Sequence, residues 1–183
     1  MVMGDGDCGE AVSGACTAIL ELLHNPPEIA SSGSILSLLY SIIDAVDDMG
    51  GTLGAIFGIF LSSLVTSLRS SSKSTSTITI PSSEILAAAV HAATTALKKY
   101  TGAREGDRTV MDVLLPFSDS FYQSKDFGRA VKVAREKAEA TRYLKPKFGR
   151  ASYVGEGGKE QELPDPGAWA LMEILEGLKF GMD

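Results

Sequence analysis

Apolar residues along this chain recur at three- and four-residue intervals, and the strict alternation of a half-buried strand is nearly absent. The spacing predicts a first helix from just after Gly9, through Ala15, Ile19 and Leu22, to about His24. Asn25-Pro26-Pro27 ends it, because proline has no amide hydrogen to donate and restricts the residue before it. A second helix carries Ile35, Leu38, Leu39, Ile42 and Val46 on one face and stops at Asp47-Asp48, before Gly50-Gly51. A third begins near Thr52 and fades in the serine-rich run Ser70 to Ser76. Ser82 or Ser83 offers an N-cap for an alanine-rich fourth helix through Leu86, Val90 and Leu97. A fifth holds Val110, Met111, Leu114 and Phe121, and a sixth Phe127, Ala130, Val131 and Ala134. The last starts at Asp165-Pro166, an acidic residue with proline in the first turn, and shows Trp169, Met172, Leu175 and Leu178.

The expected fold is therefore all-α, an antiparallel helical bundle of about seven helices in which sequential neighbours mostly run antiparallel. No internal repeat or boundary is visible, so a single domain over residues 1–183 is expected. Two long connections interrupt it. The run at about 70–81 is too polar to bury much and reads as an exposed, mobile loop. The glycine- and charge-rich stretch at about 145–164 is longer than compact domains usually tolerate unless a loop is functional or disordered.

Composition adds exclusions. With 17 basic against 23 acidic residues, a net charge of -6 and no basic block, nucleic acid is not an expected partner. Two cysteines, Cys8 and Cys16, make no disulfide framework and fit a reducing, intracellular setting. The acidic start has no leader pattern, so the cytoplasm is the expected location. Leu53 to Leu68 is the most membrane-like stretch, yet it is shorter than a bilayer span of roughly 20 residues and serines interrupt it. Gly50, Gly54 and Gly58 stand four apart, which suits a core helix whose backbone approaches its neighbours closely; no membrane partner is expected.

The candidate chemistry gathers at the starts of the expected helices. Met3-Gly4-Asp5-Gly6-Asp7-Cys8-Gly9-Glu10 fits the G-x-G-x-x-G spacing of a dinucleotide turn, but no strand precedes it and no βαβ pattern follows. An EF-hand loop starting at Asp5 would put Gly9 at its fifth position and Cys16 at its twelfth, so that reading fails too. Asp5 and Asp7 remain as hard oxygen donors at a helix start, suited to Mg²⁺, which takes one or two carboxylates together with substrate phosphates. The blander reading is an acidic cap that only complements the helix dipole, and on this stretch alone it is the commoner explanation. Met49-Gly50-Gly51-Thr52-Leu53-Gly54 could present backbone amides to a phosphate. Thr101-Gly102-Ala103-Arg104-Glu105-Gly106-Asp107-Arg108-Thr109 again clusters glycines, a cap and arginine at a helix start. Gly149-Arg150-Ala151-Ser152-Tyr153 and Pro164-Asp165-Pro166-Gly167 flank the second long loop. His24 and His91 have no partner pattern and read as surface or satisfied core residues, and no nucleophilic motif is present. In an antiparallel bundle alternate N-termini share one end, so these stretches would suit a nucleotide and its metals on one rim.

MGDGDCG, then MGGT-x-G-A-x-x-G, then G-A-x-x-GDRT-x-x-D-x-LLP, then GRASYVGE and DPGAWA occur in order over nearly the whole chain. This series resembles the C-terminal, nucleotide-binding domain of ATP-dependent dihydroxyacetone (glycerone) kinases. The resemblance implies a barrel of eight antiparallel helices with ATP or ADP and Mg²⁺ at one rim. It implies Asp5 and Asp7 as Mg²⁺ ligands, with the Gly6–Cys8 backbone beside them. It further implies Gly51 and Thr52, with Leu53 next to them, at the phosphates; Gly102, Thr109 and Val110 near the nucleoside; and Asp165, Pro166 and Gly167 completing that pocket. Arg150 is added near the phosphates on charge alone. The implied reaction is phosphoryl transfer from ATP to a triose held by a separate kinase domain, in the same or another chain, and a homodimer is the other assembly considered. No catalytic residue is expected in this chain, because in the family the substrate-binding histidine lies in that other domain.

Three departures from the family pattern shape the expectation. A further metal-binding aspartate would fall just ahead of Met1, the family's first helix is missing with it, and Leu53 replaces a serine. The domain is thus expected to be truncated, and weakly active or inactive alone. Two other classes stand beside this reading: an ADP-holding subunit of the related phosphotransfer system, and a degenerate helical interaction protein.

Overall fold

The computed structural model describes residues 7–25, 34–71, 81–148 and 163–182. Among them are seven α-helices, a 3₁₀ turn at Thr141–Tyr143 and no strand, as the periodicity predicts. Two compact units account for the chain: Glu10–Tyr100, and Thr101–Asp183 together with Met1–Gly9.

In the first unit, α1 (Asp7–His24), from Glu10 onward, leads to α2 (Ile35–Asp47), α3 (Gly51–Ser71) and α4 (Ser83–Leu97). Helix α1 starts at Asp7 rather than after Gly9, so Cys8 and Gly9 are helical. Helix α3 packs against both α2 and α4, and Leu68 and Leu97 are fully buried in the core they share. Its 21 residues run past the apolar stretch into the serine run where the helix was expected to fade, with Ser70 and Ser71 as its last residues. Each of those two hydroxyls donates to the carbonyl one turn back, at 2.9 and 3.0 Å, which lets serine extend a helix end. By length and composition α3 could cross a membrane. Its buried positions Gly54, Ile56, Gly58, Leu64, Val65 and Leu68 nevertheless belong to this core. A Cβ at Gly54 would lie 3.4 Å from Met49 Cβ, and one at Gly58 only 3.0 Å from Asp47 Oδ1. The glycine series thus permits the close approach of α3 to the end of α2 that its spacing suggests. Ser82 caps α4, its hydroxyl accepting the Ile85 amide at 3.4 Å. Residues 72–80 lie outside the described residues.

The second unit contains α5 (Met111–Ser124), α6 (Phe127–Ala140) and α7 (Pro166–Phe180). Lys125 closes α5 in the left-handed conformation, φ 58°, and the Asp126 carboxylate caps α6 by accepting the Arg129 amide at 2.9 Å. A link this short turns α6 back along α5. Phe127 meets the rings of Phe117 and Phe121 edge-on at 5.6 and 5.5 Å, so the reversal is set by apolar packing as well as by caps. Helix α6 packs against both α5 and α7 through Ala130, Val131, Ala134 and Ala138, all buried. Small residues on that face let the three helices approach closely enough to bury Met111, Phe121 and Met172.

Candidate functional site

The stretch Thr101–Thr109, expected at a helix start, forms the irregular loop that leads into α5, which begins at Met111 with Val110 just ahead of it. Side chains supply the backbone partners that a helix would otherwise provide. The Thr101 hydroxyl accepts the Ala103 amide at 3.1 Å, and Asp107 Oδ2 accepts the Arg104 amide at 2.7 Å. Asp112 is the centre of the loop: Oδ1 accepts the Gly106 amide at 2.6 Å and Oδ2 the Thr109 amide at 2.7 Å. The Thr109 hydroxyl in turn accepts the Met111 amide at 3.1 Å. Asp112 thus reaches back to the Thr109 amide as the acidic arm of a capping box does, a local spacing visible in the sequence although no role was assigned to Asp112 from it. Gly106, at φ 94°, turns the chain so that its amide reaches the buried carboxylate.

A second group ties this loop to the segment entering α7. Arg108 is only 4% exposed and sits at φ 58°, an uncommon conformation for a residue with a side chain. Its Nη2 donates to the Leu163 carbonyl at 2.9 Å. Two residues on, the Asp165 amide donates at 2.8 Å to Oγ1 of the fully buried Thr141. Asp165 then caps α7, Oδ1 accepting the Ala168 amide at 2.8 Å. Lys147 Nζ reaches Asp107 Oδ1 at 2.5 Å, closing the loop from the other side.

The carboxylates here differ in charge preference. Burial pushes the Asp165 carboxyl up from 3.8 to about 6; the Ala168 amide and the Arg108 guanidinium counteract this in part, and the Asp112 charge adds to it. Asp107 is held below its ordinary value, first by the Lys147 ammonium and then by the Arg104 amide. The consequences for stability have opposite signs. Between about 4 and 6 the folded protein holds more of the Asp165 proton than the unfolded chain, so stability falls as pH rises through that window. The Asp107 contribution is present above its ordinary 3.8 and is lost below it, as pH falls through the lowered value. Ionised Asp165 therefore costs about 3 kcal/mol at pH 7 relative to an exposed carboxylate. Asp165→Asn keeps a capping oxygen without the charge. The variant should be at least as stable as the parent at pH 7 and should lose the decline between pH 4 and 6. Urea unfolding at both ends of that window checks this; an unchanged pH slope would contradict the assignment to burial.

The remaining candidates divide between described and undescribed residues. Gly102 is exposed, and a Cβ there would lie 3.7 Å from the Phe148 ring; Val110 is buried, and Gly167 half-buried beside exposed Pro166. Gly102, Thr109, Val110, Asp165, Pro166 and Gly167 thus lie in one unit, on the loop before α5 and the start of α7. Gly51, Thr52 and Leu53 open α3 in the other unit. Gly50 and Gly51 both take positive φ, 66° and 64°, with open space where a Cβ would stand, so conformation rather than crowding requires glycine there. Asp7 is the first residue of α1 and Cys8 is half-buried. Asp5, Gly6, Arg150 and the Asp7 side chain lie outside the described residues. Among the described residues, no group of three or more His, Cys, Asp or Glu side chains could hold a metal. His24 is exposed, with Nδ1 at 2.7 Å from the Leu20 carbonyl oxygen, which agrees with a surface role.

A family model described as the DAK2 domain matches residues 2–180. The chain belongs to the DAK2 domain family. This DAK2 domain is 43% identical over 183 residues to a dihydroxyacetone kinase of Komagataella pastoris, covering 97% of this chain and 30% of that protein. It is 36% identical over 183 residues to the triokinase/FMN cyclase of Homo sapiens, covering 96% and 30%. Its fold resembles the crystal structure of the dihydroxyacetone kinase from C. freundii in complex with AMP-PNP and Mg²⁺, with a TM-score of 0.70 and 27% identity over 97% of this chain and 28% of that one. The chain thus spans about 30% of the length of the curated relatives it matches.

Proposed function

We propose that this DAK2 domain binds ATP with Mg²⁺ and is the nucleotide-holding part of a dihydroxyacetone (glycerone) kinase, transferring phosphate to a triose held by a separate domain. The observation that carries the reading is the buried frame of Arg108, Asp112 and Thr141. It sets the loop bearing Thr109 and Val110 and the turn bearing Asp165, Pro166 and Gly167, two segments that the motif resemblance assigns to the nucleoside. Support also comes from the C. freundii kinase, a structural neighbour crystallised with AMP-PNP and Mg²⁺.

Gly51 and Thr52 open α3, where unpaired backbone amides and the positive end of the helix dipole favour phosphate oxygens. Leu53 follows in the first turn and contributes its amide but no hydroxyl. Asp5 and Asp7 would hold the Mg²⁺: hard carboxylate oxygens at alternate positions beside a helix start are the donor chemistry that ion prefers. Bound there, the metal would neutralise phosphate charge, so that catalysis rests on positioning and electrostatics rather than on a protein nucleophile. Arg150 would add positive charge near the same phosphates. The triose-binding domain is supplied by further chain or by a partner, and without it the domain should bind nucleotide but turn over little.

Thermal unfolding of the 183-residue chain provides the test. Millimolar Mg-ATP should raise Tm well above the values in Mg²⁺ alone or ATP alone, since ligand at 100 times its Kd stabilises by about 2.7 kcal/mol. Equal melting in all three conditions would overturn the proposal.

A further inference from the structure

The GDRT motif invites a direct role for its arginine at a phosphate, yet Arg108 is nearly inaccessible and its Nη2 is turned inward onto the Leu163 carbonyl. A buried guanidinium on a left-handed backbone is doubly unfavourable, through desolvation and through steric strain. Such residues persist where the surrounding structure over-determines them, often beside a ligand site. The grip on the segment entering α7 has two points: Arg108 holds the Leu163 carbonyl, and Thr141 holds the Asp165 amide at 2.8 Å while donating to the Ala138 carbonyl at 2.6 Å. Thr109 and Val110 follow Arg108 directly, and Pro166 and Gly167 follow the gripped segment directly. Asp112 fixes the loop itself through the amides of Gly106 and Thr109.

We infer that Arg108 and Thr141 are positioning residues that lock the start of α7 against the loop before α5, and so set the nucleoside half of the site without touching the nucleotide. This inference rests on the ATP reading above. It separates two functions that the motif resemblance leaves merged: the grip acts on the base and sugar, while the triphosphate is held by other residues. A nucleoside pocket built from two segments more than fifty positions apart needs such a tie, because hydrogen bonds within either segment cannot fix their mutual distance.

Two variants test it. Arg108→Gly removes the guanidinium and accommodates φ 58° without strain, so the backbone of the loop is not itself the target. Thr141→Val is nearly isosteric and removes the oxygen that accepts the Asp165 amide. Calorimetric titration of the 183-residue chain with Mg-ATP and with Mg-tripolyphosphate reads the two halves of the site separately. The parent should prefer Mg-ATP. Each variant should lose about tenfold or more in Mg-ATP affinity, as misplaced supporting groups do, with tripolyphosphate affinity held within about twofold. A folded variant that keeps the parent's ATP preference overturns the inference, as does parallel loss of both ligands, which a general loss of structure would produce. A parent that binds tripolyphosphate as well as ATP overturns it too, while leaving phosphate binding intact. A parent that binds neither overturns the ATP reading and this inference with it.

Discussion

Asp112→Ala should destabilise the protein by about 2–4 kcal/mol, because truncation leaves two half-buried backbone donors without their buried, charged acceptor. The carboxylate is 2% exposed and accepts the Gly106 and Thr109 amides at 2.6 and 2.7 Å. A hydrogen bond to a charged group contributes about 1.5–3 kcal/mol, and an unsatisfied buried amide forfeits desolvation energy that water cannot return. Asp112→Asn should lose roughly half as much, since its amide oxygen can accept one of the two donors while its NH₂ opposes the other. Urea unfolding with unchanged m-values would report these differences as shifts of midpoint. A loss below about 1 kcal/mol for the alanine variant would mean that water replaces the carboxylate and that the loop is not held from beneath.

Asp5→Ala and Asp7→Ala should each weaken Mg-ATP binding on the order of 100-fold, since even groups outside a metal's own ligand set cost 10–100-fold. The same variants separate the metal reading from the capping one. A carboxylate that only complements the α1 dipole is worth about 0.3–1 kcal/mol of stability and nothing in ligand affinity. Metal ligands reverse that ratio: Tm without ligand should move little, while Mg-ATP stabilisation disappears. With EDTA present, parent and variants should become equal or the variants slightly better, because removing carboxylates relieves repulsion of the bare triphosphate. Full retention of Mg-ATP affinity in both variants would leave Asp5 and Asp7 as caps only.

Much of the helical order was legible, since each apolar stripe is a local property of period about 3.6. Asp165-Pro166 marked the start of α7 and Ser82 that of α4, because a cap acts within three residues. The start of α1 lies at Asp7 rather than after Gly9, while α3 ends at Ser71, inside the serine run where it was expected to fade. The glycines, threonine and acidic residues of Thr101–Thr109 placed that stretch at the start of α5, but did not reveal the hydrogen bonds that hold it. Asp107 and Asp112 accept its backbone amides, and only the Thr109-x-x-Asp112 spacing signals that locally. Arg108 with Leu163, Thr141 with Asp165 and Lys147 with Asp107 left no local mark, since each joins residues far apart in the chain. Nor does any local signal separate Arg108, buried with an inward hydrogen bond, from Arg104, whose exposed side chain donates to the carbonyls of Thr101 and Ala103.

Calorimetric titration of the 183-residue chain with ATP, in Mg²⁺ and again in EDTA, addresses the central claim most directly. Saturable binding of one nucleotide per chain in Mg²⁺, lost or greatly weakened in EDTA, is the predicted result. No binding in Mg²⁺, or the same affinity with the metal removed, would contradict the account of this DAK2 domain as a Mg²⁺-dependent nucleotide holder.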